Sequence, residues 1–251
     1  MILARLSRAI REQNWFAVAL EFVIVVAGVL LAFQITAWAQ ARADTEREAL
    51  MLTRLHAEAE TNVRYFCRGL ERRRDNDARR DDTIQRMLAN NFEGADRESM
   101  VFSIFSASNV QEPSPSRIVY DELVSAGLTS RIGDEAMRIA LAEYWLEIDR
   151  LRTVSAARQQ QTNVFPRAVA AQDEFIEIEY DADHPLRRRY SINFERAAQS
   201  GDFMEFILFG NAQSREMTNM WSRALADAIA LCRETARLTD RSCEPADEDA
   251  S

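Results

Sequence analysis

Two hydrophobic patterns divide this chain. Between Trp15 and Trp38 lies FAVALEFVIVVAGVLLAFQITA, apolar on every side and carrying one acid, Glu21. Counted inclusively the segment is 24 residues, roughly 36 Å of helix at about 1.5 Å per residue, enough to cross a hydrocarbon core of about 30 Å with some tilt. It predicts one membrane-spanning helix over 15–38. Trp15 and Trp38 are its interface anchors, because amphipathic rings are favoured at headgroup depth.

Beyond the span the apolar positions become periodic. Leu50, Met51, Leu55, Ala59, Asn62, Phe66 and Leu70 recur at three- and four-residue steps, which predicts one face of a helix. Arg47, Glu48, Arg54, Glu58, Arg64, Arg68 and Glu71 form the opposite, solvated face. The stripe fades over Arg72–Asp82 and resumes at Ile84, Met87 and Leu88, so the pattern predicts a helix to about residue 75 and a shorter one ending near Asn90-Asn91. Met100–Phe105 is apolar enough for a buried turn or short helix, and Ser116–Ala126 reads as a helix stopped by Gly127, a good C′ residue.

Asp134 is the expected N-cap of the next helix, with Glu135 in its first turn. Met137, Ile139, Ala140, Leu141, Tyr144, Trp145, Ile148, Leu151 and Val154 keep helical spacing, and Pro166 ends the run after Phe165. Ile176, Ile178 and Tyr180 alternate with Glu177 and Glu179, which predicts a short extended segment before Asp183-His184-Pro185. Two brief helices at 194–199 and 203–209 are expected on either side of Ser200-Gly201-Asp202. A last helix over about 212–238 buries Met217, Met220, Trp221, Leu225, Ala228, Ile229 and Leu231. The expected fold is therefore all-α: one N-terminal transmembrane helix continuing into a bundle-like extramembrane domain over 39–242. A short tail precedes it at 1–14, and an acidic tail at 243–251 is expected to be disordered.

Charge narrows the partners. All 31 basic residues are arginine, a matter of composition rather than of arginine-specific chemistry. After residue 42 the chain holds 27 arginines against 38 acids, a net −11, which repels phosphate backbones and disfavours nucleic acid. Arg5, Arg8 and Arg11 precede the span, whereas Arg42, Arg47 and Arg54 follow it among acids. The short basic tail is expected in the cytoplasm of a bacterial cell, with the inner membrane spanned once and the main domain periplasmic. A cleaved signal peptide is the competing reading, because Ala37-Trp38-Ala39 has small-x-small form.

Leu20-Glu21-Phe22 followed by VIVVAGVLLAFQITAW and then ARADTEREALMLTRLHAEAETN resembles the opening of a bacterial family of single-span proteins without an assigned activity. YDELVSAGL and RIGDEAMRIALAEYW are similar to a second pattern of that family. The chain departs from it at the exit of the span, where Thr36-Ala37-Trp38-Ala39 lacks an Asn beside the Trp. The resemblance implies single-span topology and helical content, and no reaction.

Chemistry is sparse. His56 and Glu60 lie one helical turn apart, but two donors do not make a metal site. Asp181-Ala182-Asp183-His184 lacks the spaced oxygens and Gly of a calcium loop and reads as a polar turn. No phosphate loop, nucleophile elbow or zincin motif is present, so neither an enzyme nor a cofactor is expected. Cys232 can fold back to Cys243 across a helix end, or pair with Cys67 to staple the first and last helices. Glu21 at membrane depth needs a partner or the interface. It shares a helix face with Gly28 and Ala32, a small-x-x-x-small pair that lets helices approach, so this face is the expected contact with a second copy or another membrane protein. Snorkelling beside Arg8 or Arg11 is the alternative. Two function classes follow: a membrane-anchored interaction or scaffold protein of the cell envelope, and a periplasmic ligand-sensing domain that signals through a membrane partner.

Overall fold

A computed structural model describes residues 15–106, 110–162, 175–180 and 189–244. The expected tail at 1–14, the Trp15 side chain, the helix end at Phe165-Pro166, the turn at 181–185 and residues 245–251 lie outside them. The elements are α1 (Trp15–Leu88), α2 (Arg97–Ser106), α3 (Ile118–Ser125), α4 (Glu135–Thr162), β1 (Ile176–Glu179), β2 (Arg189–Ile192), α5 (Phe194–Ala197) and α6 (Gly201–Thr239). The fold is all-α, with an antiparallel β1–β2 pair in which Ile176 faces Ile192 and Glu179 faces Arg189. Two compact units are present, residues 1–51 and 52–251.

The first unit is helical wherever it is described. Its apolar side chains from Val18 to Trp38 are all exposed, and α1 here is long and apolar enough to cross a membrane. Beyond the apolar stretch, Arg42 pairs with Glu46 and Arg47 with Asp44 at helical spacing.

In the second unit, Leu52, Leu55, Ala59, Val63, Phe66 and Leu70 turn one stripe of α1 inward. The helix stays unbroken through Arg72–Asp82, where the sequence pattern predicted a break near 75. The inward positions there are Asp77 and Arg80, both buried, so polar residues replace the apolar ones on the same face. Glu58 corrects a second expectation. It is buried rather than solvated, and its carboxylate accepts from Val119 N (2.8 Å), Tyr120 N (3.3 Å) and Ser116 Oγ (3.2 Å). Arg117, the cap residue of α3, makes no side-chain capping bond. A carboxylate from α1 thus satisfies the donors of the first turn of α3 and complements its dipole. One turn on, Asn62 accepts from Ser116 N (2.8 Å) and donates to Ser116 O (2.9 Å), fixing the chain that leads into α3.

Local signals set most other ends. Gly127 takes φ +66° behind α3, and Asp134 Oδ1 accepts from Met137 N at 3.1 Å to cap α4. Ser200 accepts from Phe203 N, so α6 begins at Gly201 and absorbs the brief helix expected at 203–209. Helices α4 and α6 pack along each other, joined by Arg223–Glu147 and Arg158–Glu216. Buried positions on α6 are Met217, Met220, Trp221, Ala224, Ala228, Leu231, Cys232, Thr235 and Ala236, while Leu225 and Ile229 are half-buried. On α4, Ile139 is exposed rather than inward. A further core joins Ile84 and Met87 of α1 to Met100, Ile104, Ile176, Ile192, Phe194, Phe203 and Ile207.

At Gly69, α1 lies against Trp221 of α6. A Cβ added there would stand 2.3 Å from Trp221 Cζ3, and the Trp221 ring also packs edge-on against Phe66 at 5.2 Å. Gly69→Ala is expected to cost about 1–3 kcal/mol through overpacking. Gly201→Ala, where the added methyl meets nothing within 4 Å, serves as the control and should be near neutral. Urea unfolding followed by circular dichroism in detergent measures both.

Candidate functional site

The sequence-predicted contact residues sit on an uncovered surface. Glu21, Gly28 and Ala32 are exposed, and a Cβ at Gly28 would meet nothing within 4 Å. Trp38 is exposed, with the Arg42 guanidinium 5.9 Å from its ring centre. Thr36 Oγ1 donates back to Ala32 O at 2.9 Å, so its hydroxyl is satisfied within the helix.

The densest polar arrangement lies in the second unit, where sequence reasoning saw only a fading stripe. Arg80 is 1% exposed. Its Nε donates to Ser103 O at 3.1 Å, Nη2 to Ser106 Oγ at 3.2 Å, and Nη1 to Asp77 Oδ1 at 2.8 Å and Asn211 Oδ1 at 3.4 Å. Asp77 also accepts from Ser214 Oγ (2.8 Å) and Thr218 Oγ1 (2.7 Å). Asp81 extends the cluster, accepting from Asn211 Nδ2 at 3.1 Å and from Arg215. The buried charges are therefore paired and hydrogen-bonded, the condition under which such burial is tolerated. One guanidinium ties α1 to α2 and α6 together.

Beside this network is a cavity of about 340 Å³ whose lining includes Arg72, Arg73, Arg80 and Trp221. The Arg73 guanidinium stacks 4.5 Å over the Trp221 ring. Burial pushes Arg73 below the usual guanidinium range against the pull of Asp77, and neighbouring Arg72 pushes the same way. Phe102, Phe105 and the edge of Gly69 complete an apolar wall. A signal for this site existed in the run Arg72-Arg73-Arg74, but nothing local distinguishes it from a solvated charge run.

The remaining candidates resolve into structural roles. His56 is buried, with Nδ1 3.1 Å from Thr235 Oγ1 and Nε2 3.7 Å from Glu60 Oε1. Among the described residues no group of three or more metal-ligating side chains forms. Cys232 and Cys243 are joined, Cα to Cα 5.8 Å, and tie the segment after α6 back to the helix; Cys67 lies outside that disulfide. Burial, with Glu58 adding to it, pushes the Tyr144 phenol well above its ordinary range, and its hydroxyl has no hydrogen-bond partner among the described residues. The chain matches no protein-family model, no curated protein and no solved structure.

Two expectations follow. Arg80→Met leaves Asp77 buried with only hydroxyl partners and is expected to cost about 3 kcal/mol or more. The Asp77→Asn/Arg80→Met double variant should lose less than the sum of the single losses, as a double-mutant cycle of unfolding free energies would reveal. The second concerns Asp227, whose carboxyl is raised by burial and by Glu147 and Glu143 against the pull of Arg223. An acid raised on folding binds protons more tightly in the folded chain, so its ionisation destabilises at neutral pH, and the penalty falls as pH drops below its folded value and is gone below its ordinary value. Asp227→Asn should therefore raise the unfolding free energy at pH 7, by no more than about 1 kcal/mol because the group is partly solvated. That gain should shrink toward pH 4.

Proposed function

We propose that this chain is a single-span protein of the bacterial inner membrane, its N-terminus cytoplasmic and its helical domain periplasmic. It works as an interaction or scaffold component of the cell envelope and not as an enzyme. The observation that carries this reading is the contrast within α1: apolar side chains from Val18 to Trp38 are uncovered, whereas Leu55, Val63 and Phe66 further along are buried. Apolar surface of that extent is stable only against lipid or protein. The Cys232–Cys243 disulfide supports an oxidising compartment for the domain. The resemblance of residues 20–62 to a bacterial single-span family supports the same topology.

Within the bilayer, the face bearing Glu21, Gly28 and Ala32 meets a second copy or another membrane protein. Small residues at helical spacing permit close approach, and Glu21 gains a polar partner that lipid cannot supply. Trp38 and Trp15 hold the span at the two interfaces.

Alkaline carbonate washing of bacterial membranes is expected to leave the full chain in the pellet, with an intact N-terminus on sequencing. A C-terminal alkaline phosphatase fusion should be active and the matching fluorescent-protein fusion dark. Release by carbonate, or a mature chain starting beyond position 39, contradicts the tether. Glu21→Leu should reduce crosslinked species in membranes at least threefold, and unchanged crosslinking counts against the helix contact.

A further inference from the structure

We infer that the cavity beside Arg73 is a binding site for a small aromatic carboxylate, an assignment that stands whether or not the chain is tethered. Its cations are of two kinds. Arg80 spends its donors on Ser103, Ser106, Asn211 and Asp77, so its charge is already matched. Arg72 and Arg73 make no ion pair among the described residues, and the nearby carboxylate of Asp77 is occupied by Arg80, Ser214 and Thr218. Two unmatched guanidiniums thus border a concave space inside a domain that is strongly acidic elsewhere.

The unmatched charge at Arg73 is costly. Its head is half-buried and stacked on Trp221, which withdraws it from water and fixes its plane. Stacking leaves the edge donors of a guanidinium available, and that fork matches the two oxygens of a carboxylate. An anion seated there would offset the desolvation of Arg73.

The walls select the rest of the ligand. Trp221, Phe102 and Phe105 present aromatic surface, so the anion carries a flat apolar body. A cavity of about 340 Å³ admits a single-ring acid with room for a polar substituent, which Asn76 can meet. A phosphate group fits less well. Its oxygens point in all directions, and the apolar wall offers no partner to those that the guanidiniums do not reach.

Isothermal titration of the full-length chain in lipid nanodiscs tests this with 4-hydroxybenzoate and its neutral isostere 4-hydroxybenzamide. The acid is expected to bind at least tenfold more tightly than the amide. Arg73→Gln should shrink that ratio at least threefold. Arg72→Gln, at an exposed position whose loss leaves folding intact, should shrink it in the same direction. Melting curves establish that both variants are folded. Absence of binding by the acid at millimolar concentration overturns the assignment, as does equal binding of acid and amide. A ratio unmoved in both variants, or inorganic phosphate binding as tightly as the acid, overturns it as well.

Discussion

Arg80 and Asp77 put two opposite charges inside a helical domain, and the arrangement around them follows from the need to satisfy both. A guanidinium withdrawn from water requires acceptors on every side of its plane. Here they come from three elements: Asp77 on its own helix, Ser103 and Ser106 on α2, and Asn211 on α6. Asp77 in turn draws Ser214 and Thr218 of α6 onto α1. Apolar packing would tolerate a slide between these helices, but a shift of one residue would strand a buried charge. The network therefore fixes register where the apolar stripe lapses, and it forms one edge of the cavity that Arg73 and Trp221 border.

Elsewhere along α1 the same logic recurs in weaker form. Glu58 caps α3 and Asn62 brackets Ser116, so a charged and an amide side chain on one helix dictate where another begins. At Gly69 the constraint is steric: the missing side chain lets Trp221 lie against the helix, and Arg73 then covers the ring's face. Polar satisfaction, close approach and aromatic stacking thus occupy successive turns of a single helix. The same helix carries, over 18–38, an uncovered apolar stretch long enough to cross a membrane.

The proposed tether and the proposed anion-binding cavity are compatible roles. An acidic domain disfavours phosphate backbones and anionic lipid surfaces, and several of its surface arginines pair with carboxylates, as Arg54 does with Glu122 and Arg97 with Glu195. Arg72 and Arg73, which make no ion pair among the described residues, border a recess instead.

Much of the architecture was legible in the residues themselves. An apolar run of bilayer length, amphipathic spacing in α4 and α6, Asp134 as a cap and Gly127 as a stop are local properties, because they depend on side chains a few positions apart. What escaped was decided by neighbours distant in sequence. Glu58 reads as solvated until α3 is placed over it, and Arg80 belongs to a charge run until α2 and α6 supply acceptors. Ile176–Glu179 could be read as extended, but its partner Arg189–Ile192 is defined only by the pairing. The choice of Cys243 over Cys67 for Cys232 rests on where α6 ends and how the chain turns back. Sequence alone determined most of the helical segments and most of their apolar faces, since period and capping are written locally; tertiary structure decided which polar groups are buried and that α1 runs unbroken through 72–82, because burial depends on what lies opposite.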